Sequence, residues 1–252
     1  MTKIALVTGA SSGLGREFAR QIPKLYKNLD EIWVVARRAD RLKELEKKLE
    51  IPVRVFDGDL NQEYIYKKLG IALVKSHADI RMLVNAAGYG KIGSFYEYGK
   101  KEELGMVDLN CRALTRMTGL CLPYMHCGSR IVNLASAAAF GPQPEFAVYA
   151  ATKSYVYSLS MALGRELKGR GIYVTAVCPG PVDTEFFDHT GKEASSVKKK
   201  LRADARKVVK KALIDSARGR KTSVYGLPMK VAWAASKVVP DSLIAALMDT
   251  FL

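Results

Sequence analysis

Lys3-Ile-Ala-Leu-Val-Thr8, running straight into Gly9-Ala-Ser-Ser-Gly13-Leu-Gly15, is the stretch whose reading decides the fold. Residues 3–8 are an apolar run of the length of one strand, suited to a parallel sheet covered on both faces. The three glycines then allow a tight strand-to-helix turn, and a helix is expected from about Leu14 to Tyr26. Such a turn lets a pyrophosphate approach the backbone. The free amides of Ser11, Ser12, Gly13, Leu14 and Gly15 and the positive end of the helix dipole would meet its charge. The spacing is G-x-x-x-G-x-G rather than the generic G-x-G-x-x-G, so taken alone the segment also reads as an ordinary glycine-rich loop.

Outward from this turn the chain alternates. Strands are expected at 3–8, 31–36, 51–57, 80–85, 129–135, 172–178 and 222–225, separated by helical stretches, which is the pattern of a doubly wound, mostly parallel α/β sheet with helices on both faces. Helical periodicity is clearest at Arg38–Glu50, where charged residues surround Leu42, Leu45 and Leu49. With 252 residues and neither internal repeat nor linker, one domain is expected.

Ser129-Arg-Ile-Val-Asn-Leu-Ala135 reads as a buried strand with Ser136 at its C-terminal end, where open α/β sheets place their ligands. Thirteen residues on, Tyr149-Ala-Ala-Thr-Lys153 lies in a helix expected from Val148 to Lys168, so the phenol and the ammonium share one face at i and i+4. A phenol titrates near ~10, and a neighbouring cation favours its ionised form. Tyr149, Lys153 and Ser136 together therefore supply an acid/base, a charge and a hydroxyl for carbonyl chemistry.

In this combination the chain resembles the short-chain dehydrogenase/reductases of about 250 residues, over roughly residues 3 to 185. Thr8 to Gly15 is similar to that family's cofactor turn. Asp59-Leu60 matches its acidic residue at the adenine, and Asn85-Ala86-Ala87-Gly88 its N-N-A-G motif, with Ala86 in place of the second Asn. Asn110, Ser136, Tyr149 and Lys153 fall on its catalytic tetrad, and Pro179-Gly180-Pro181-Val182-Asp183-Thr184 resembles the segment that holds the nicotinamide. The resemblance implies a Rossmann fold, a nicotinamide cofactor, and a homodimer or homotetramer acting on a small-molecule carbonyl or secondary alcohol. It further implies that Ser136 and Tyr149 bracket the substrate oxygen, that Lys153 holds the ribose, and that Asn110 anchors a water of the proton relay.

The second strand ends in Ala36-Arg37-Arg38, without the Asp or Glu that would bind a ribose 2′-hydroxyl; two guanidiniums instead match a 2′-phosphate, so NADP(H) is the expected cofactor. Substrate contacts are sought in loops beyond the strand ends: Tyr89, Phe95, Ala137 to Phe140, Gln143, Phe146, and a lid at about 184–203 that carries Phe186, Phe187 and His189. Small and aromatic side chains suggest a bulky apolar substrate, hydroxysteroid-like or 3-oxoacyl-like.

From Lys192 to Lys221 there are twelve Lys or Arg against three Asp or Glu, a local net of +9 within a formal +15. This stretch, with Lys198, Lys199, Lys200, Arg202, Arg206, Lys207, Lys210 and Lys211, reads either as a solvated helix face or as a surface for an anion such as an acyl carrier, coenzyme A, nucleic acid or an acidic membrane. Nucleic acid is not favoured, because no binding motif accompanies the charge. The ending at about 228–252 is apolar, split by Pro240, and reads as a cover for the pocket or an oligomer seam rather than a membrane contact. The four cysteines, Cys111, Cys121, Cys127 and Cys178, form no C-x-x-C, and no metal is expected. With a strand already at Lys3 and no run of 18 apolar residues, the cytoplasm is the expected compartment. A catalytically silent NADP-binding regulator of the same fold is the alternative reading.

Overall fold

The structure, a computed structural model, describes residues 1–96, 100–186 and 202–249. Seven parallel strands form one sheet: β1 (Thr2–Thr8), β2 (Glu31–Ala36), β3 (Val53–Asp57), β4 (Ala78–Asn85), β5 (Arg130–Leu134), β6 (Tyr173–Val177) and β7 (Thr222–Ser223), in the order β3-β2-β1-β4-β5-β6-β7. Each expected strand is present. The third begins two residues late because Pro52 has no N–H for a ladder; its carbonyl instead accepts from Ile32.

Side-chain alternation along β1 sends Ile4 and Leu6 to one face and Ala5 and Val7 to the other, and each face is buried by helices. Helices α1 (Gly13–Leu25), α2 (Ala39–Glu46) and α7 (Ala205–Ala217) cover the second face through Phe18, Ile22, Leu42, Leu45, Val209 and Leu213. The first face is covered by α3 (Glu63–Lys75) and α5 (Leu114–Cys121), with Ile65, Leu69, Leu73 and Met117 packed against Trp33 and Phe56. Of two further helices, α6 (Ala147–Glu166) packs on β6 and β5 and α4 (Lys100–Val107) packs against α6, running into a π-helical turn at Asp108–Ala113.

Strand order reverses at β1, whose neighbours are β2 and β4, so a crevice opens beyond the C-terminal ends of those strands. The register pairs Thr8 with both Val35 and Asn85, and Asn85 with Asn133, which brings the strand ends and their following loops to one rim.

Helix α7 carries part of the basic stretch as its outer face: Arg206, Lys207 and Lys210 are exposed while Val208, Val209, Ala212 and Leu213 are buried. Some of its charge is balanced internally, since buried Asp215 accepts from Lys211 and from Ser223 at 2.7 Å and lies 3.4 Å from Arg220. Lys198, Lys199 and Lys200 lie outside the described residues, as do Phe187 and His189. The apolar ending forms α8 (Leu227–Ala235) and α9 (Asp241–Asp249), in which no residue is buried, and Leu227, Val231, Leu243 and Leu247 are exposed.

Candidate active site

The turn after β1 is built around its glycines. Gly9 has φ +68°, and a Cβ there would stand 2.8 Å from the Ala86 carbonyl oxygen and the Ala87 nitrogen, so only glycine fits. A Cβ on Gly15 would run into the Gly9 carbonyl, so the first turn of α1 closes directly on the loop. Thr8 completes the joint: its Oγ1 accepts from the amides of Ala86 and Ala87 at 3.1 and 3.2 Å. Ala86 therefore needs no side-chain amide to hold this corner.

Ser12 caps α1 without a side-chain hydrogen bond, and no acidic residue occupies the first turn. The amides of the turn face a cleft of about 620 Å³ that Gly13, Leu14 and Gly15 line. Unsatisfied N–H groups at a helix N-terminus form an anion site. On the same cleft stand Ser11, Arg37, Arg38, Asp59, Leu60, Ala87, Gly88, Pro179, Gly180, Val182 and Thr184. A glycine cradle, an uncapped helix start and a guanidinium pair suit a dinucleotide with phosphates. Asn85 is the exception. Its side chain points under the sheet, where Nδ2 donates to Thr118 and to Asn133 at 3.1 and 2.9 Å. An inward-facing position at the end of a parallel strand reads the same in sequence as one facing the loop.

The chemical end of the cleft is made by β5, α6 and the loop between them. Ser136 follows β5 and caps a 3₁₀ turn, Ala137–Phe140, with Oγ accepting from Ala138 N at 3.1 Å, which leaves its own proton free to donate. Tyr149, on the first turn of α6, is held between two rings: Phe146 stacks on it at 4.2 Å and Phe186 tilts against it at 5.5 Å. Burial pushes the Tyr149 phenol up to about 12, against a smaller opposing pull from the Ser136 hydroxyl. Lys153 Nζ donates to the Leu134 carbonyl at 2.8 Å and lies 5.5 Å from the Tyr149 ring centre. Burial brings this amine down to about 8. The sequence led us to expect a cation-lowered phenol. Instead burial raises the phenol, opposed by the Ser136 hydrogen bond, and Tyr149 is protonated at neutral pH.

Asn110 sits in the π-helical turn and is fully buried. Its Nδ2 donates to the Tyr89 carbonyl and to Thr152 Oγ1, and its Oδ1 accepts from the Tyr89 amide, all at 2.9–3.0 Å. Both donors are engaged, so the side chain braces the 88–89 loop against α6 one residue from Lys153.

Among the substrate candidates, Tyr89, Ala137, Ala138, Gln143, Phe146, Thr184 and Phe186 line the cleft. Phe95 is 69% exposed and elsewhere. Phe140 turns into a separate hollow with Tyr157 and Lys237 and packs against the core of Leu114 and Val156. Met248 reaches the cleft from α9, as expected of an apolar ending that covers the pocket, whereas Ile92 and Leu109 line the cleft without having been singled out in the sequence. Among the described residues there is no group of three or more His, Cys, Asp or Glu that could hold a metal, and no helix is long and apolar enough to cross a membrane.

The family model for short chain dehydrogenases matches residues 3–195. An uncharacterized oxidoreductase of Staphylococcus epidermidis is 32% identical over 190 residues, 75% of this chain and 81% of its own. A short-chain dehydrogenase from Sphingobium yanoikuyae, solved in complex with NADPH, superposes with TM-score 0.81 at 28% identity, covering 97% of this chain and 95% of that one. The bulky-bulky ketone specific alcohol dehydrogenase from Comamonas testosteroni superposes with TM-score 0.76 at 27% identity, covering 96% and 93%. The chain belongs to the short-chain dehydrogenase family, oxidoreductases that work with a nicotinamide cofactor on the CH–OH/C=O couple.

Proposed function

We propose that this family member is an NADP(H)-dependent reductase of bulky apolar ketones or 3-oxoacyl-like carbonyls. The observation that carries the reading is one cleft with a guanidinium pair at its adenine end and a protonated phenol between aromatic rings at its chemical end. A bound nicotinamide supplies the hydride. The protein's own part is proton supply and charge stabilisation: Ser136 donates a hydrogen bond to the carbonyl oxygen, and Tyr149 donates its proton to the same atom as negative charge develops there. Lys153, charged below about pH 8, stabilises the phenolate that remains and holds the cofactor ribose. Asn110 positions the loop and helix that carry these groups.

Ile92, Leu109, Ala138, Phe146, Phe186 and Met248 give this end of the cleft an apolar wall, which supports a bulky rather than a small polar substrate. The similar bulky-ketone dehydrogenase accords with it. NADP(H) preference rests on Arg37 and Arg38 and on the absence of a carboxylate at Ala36. The exposed apolar side chains of α8 and α9 support self-association into a homodimer or homotetramer through these helices.

Cofactor fluorescence titration tests the first half: NADPH should bind more tightly than NADH, and the reverse order sinks it. Oxidation of NADPH against a panel of ketones, steroids and acyl thioesters tests the second. Turnover should favour bulky apolar carbonyls, and tight NADPH binding without any turnover would describe the silent regulator instead.

A further inference from the structure

Two guanidiniums at the start of α2 already grip an anion that belongs to the protein. Arg41 Nη1 donates to both carboxylate oxygens of Glu185 at 2.6 Å, and Arg38 Nη1 to one of them at 3.2 Å. Arg38 is itself oriented by Ser11, whose Oγ accepts from its Nε and Nη2 at 3.3 and 3.1 Å. Ser11, Arg38 and Glu185 all line the cleft, on its adenine side. Arg41 was hidden in the sequence among the charges of a periodic helix, one turn beyond Arg38. Its own acidic neighbours, Asp40 and Glu44, add to the field on this guanidinium. Arg41, and less strongly Arg38, keeps the Glu185 carboxyl below the usual carboxylate range, so it is an anion at neutral pH.

Converging guanidinium forks match the oxygens of a phosphate monoester at least as well as those of a carboxylate, and the phosphate brings more charge. Both anions cannot share the site without like-charge repulsion. We infer that Glu185 is an internal competitor for the Arg38–Arg41 site, standing where the 2′-phosphate of the cofactor must bind and so setting how strongly the protein discriminates NADPH from NADH. The inference rests on the NADP(H) reading above and adds a carboxylate that works against it. Glu185 is thus a specificity-determining residue, contributed by the segment that also carries Thr184 and Phe186 to the nicotinamide end of the cleft.

Calorimetric titration with adenosine 2′,5′-bisphosphate and with adenosine 5′-monophosphate separates the two ideas without recourse to activity. Glu185 is partly exposed at the surface, so Glu185→Gln should fold, which a melt confirms. Relative to the parent, Glu185→Gln should bind the bisphosphate more tightly by roughly threefold to tenfold and the monophosphate within about twofold. Arg41→Ala should weaken the bisphosphate alone. If Arg41→Ala weakens the bisphosphate but Glu185→Gln leaves it unchanged or weaker, Glu185 is no competitor and the inference falls while the NADP(H) reading stands. If the parent binds both nucleotides equally and neither substitution matters, the phosphate site itself is wrong and takes the inference with it.

Discussion

Raising the pH through about 8 should switch off carbonyl reduction by discharging Lys153. Within the site two groups titrate, and burial moves them in opposite senses: the phenol of Tyr149 up to about 12, the amine of Lys153 down to about 8. Of these two, the lysine is the one that changes state between pH 6 and 10. For an amine, burial disfavours the charged form, so the ammonium present at neutral pH is lost as pH rises through about 8. Charged and neutral forms should stand at about ten to one at pH 7 and about one to ten at pH 9, a loss of roughly tenfold in kcat/KM per unit above the midpoint. The parameter to follow is kcat/KM for NADPH, which reports groups of the free enzyme, with a saturating ketone from the panel. A guanidinium stays charged throughout, so Lys153→Arg should be slower yet lose the alkaline limb below pH 10. A parental profile flat to pH 10, or an identical limb in Lys153→Arg, would refute the assignment.

Two further outcomes concern stability. Gly9→Ala forces a Cβ against the backbone of Ala86 and Ala87 at φ +68°, and should cost at least about 1–2 kcal/mol in urea denaturation from the left-handed backbone alone; a loss below about 0.5 kcal/mol would mean that the turn can open. Asp215→Ala removes the shared acceptor of Lys211 and Ser223 and should cost about 2–4 kcal/mol, discounted because Lys211 and Arg220 can reach water; an unchanged denaturation midpoint would contradict its role in tying α7 to β7.

Much of this architecture was readable because its signals are local. An apolar hexamer followed by glycines, an Asn-Leu-Ala-Ser strand end and a Tyr-x-x-x-Lys helix start each carry their own chemistry, and the alternation of strands and helices orders them along one rim. The less legible features depend on direction or distance. Asn85 and Phe140 lie in the expected segments, but their side chains turn away from the cleft. Arg41 looked like helix solvation until Glu185, 144 residues later, came to meet it. The apolar ending left two readings open, pocket cover or oligomer seam, and Met248 on the cleft shows that it covers the pocket, although its helices bury none of their residues. The phenol is the sharpest case: spacing correctly placed a cation near it, but its burial beside Phe146 and Phe186, which raises it, is set only in three dimensions.

The central claim is that Tyr149 gives up the proton when a carbonyl is reduced in this cleft. The direct measurement is single-turnover oxidation of bound NADPH by a bulky ketone, parent against Tyr149→Phe, with NADPH affinity titrated in both. Phenylalanine keeps the ring between Phe146 and Phe186 and removes only the hydroxyl, so the cofactor should bind within about threefold while the rate falls by at least roughly 10²-fold. A Tyr149→Phe protein that binds NADPH normally and oxidises it at close to the parental single-turnover rate would contradict the account.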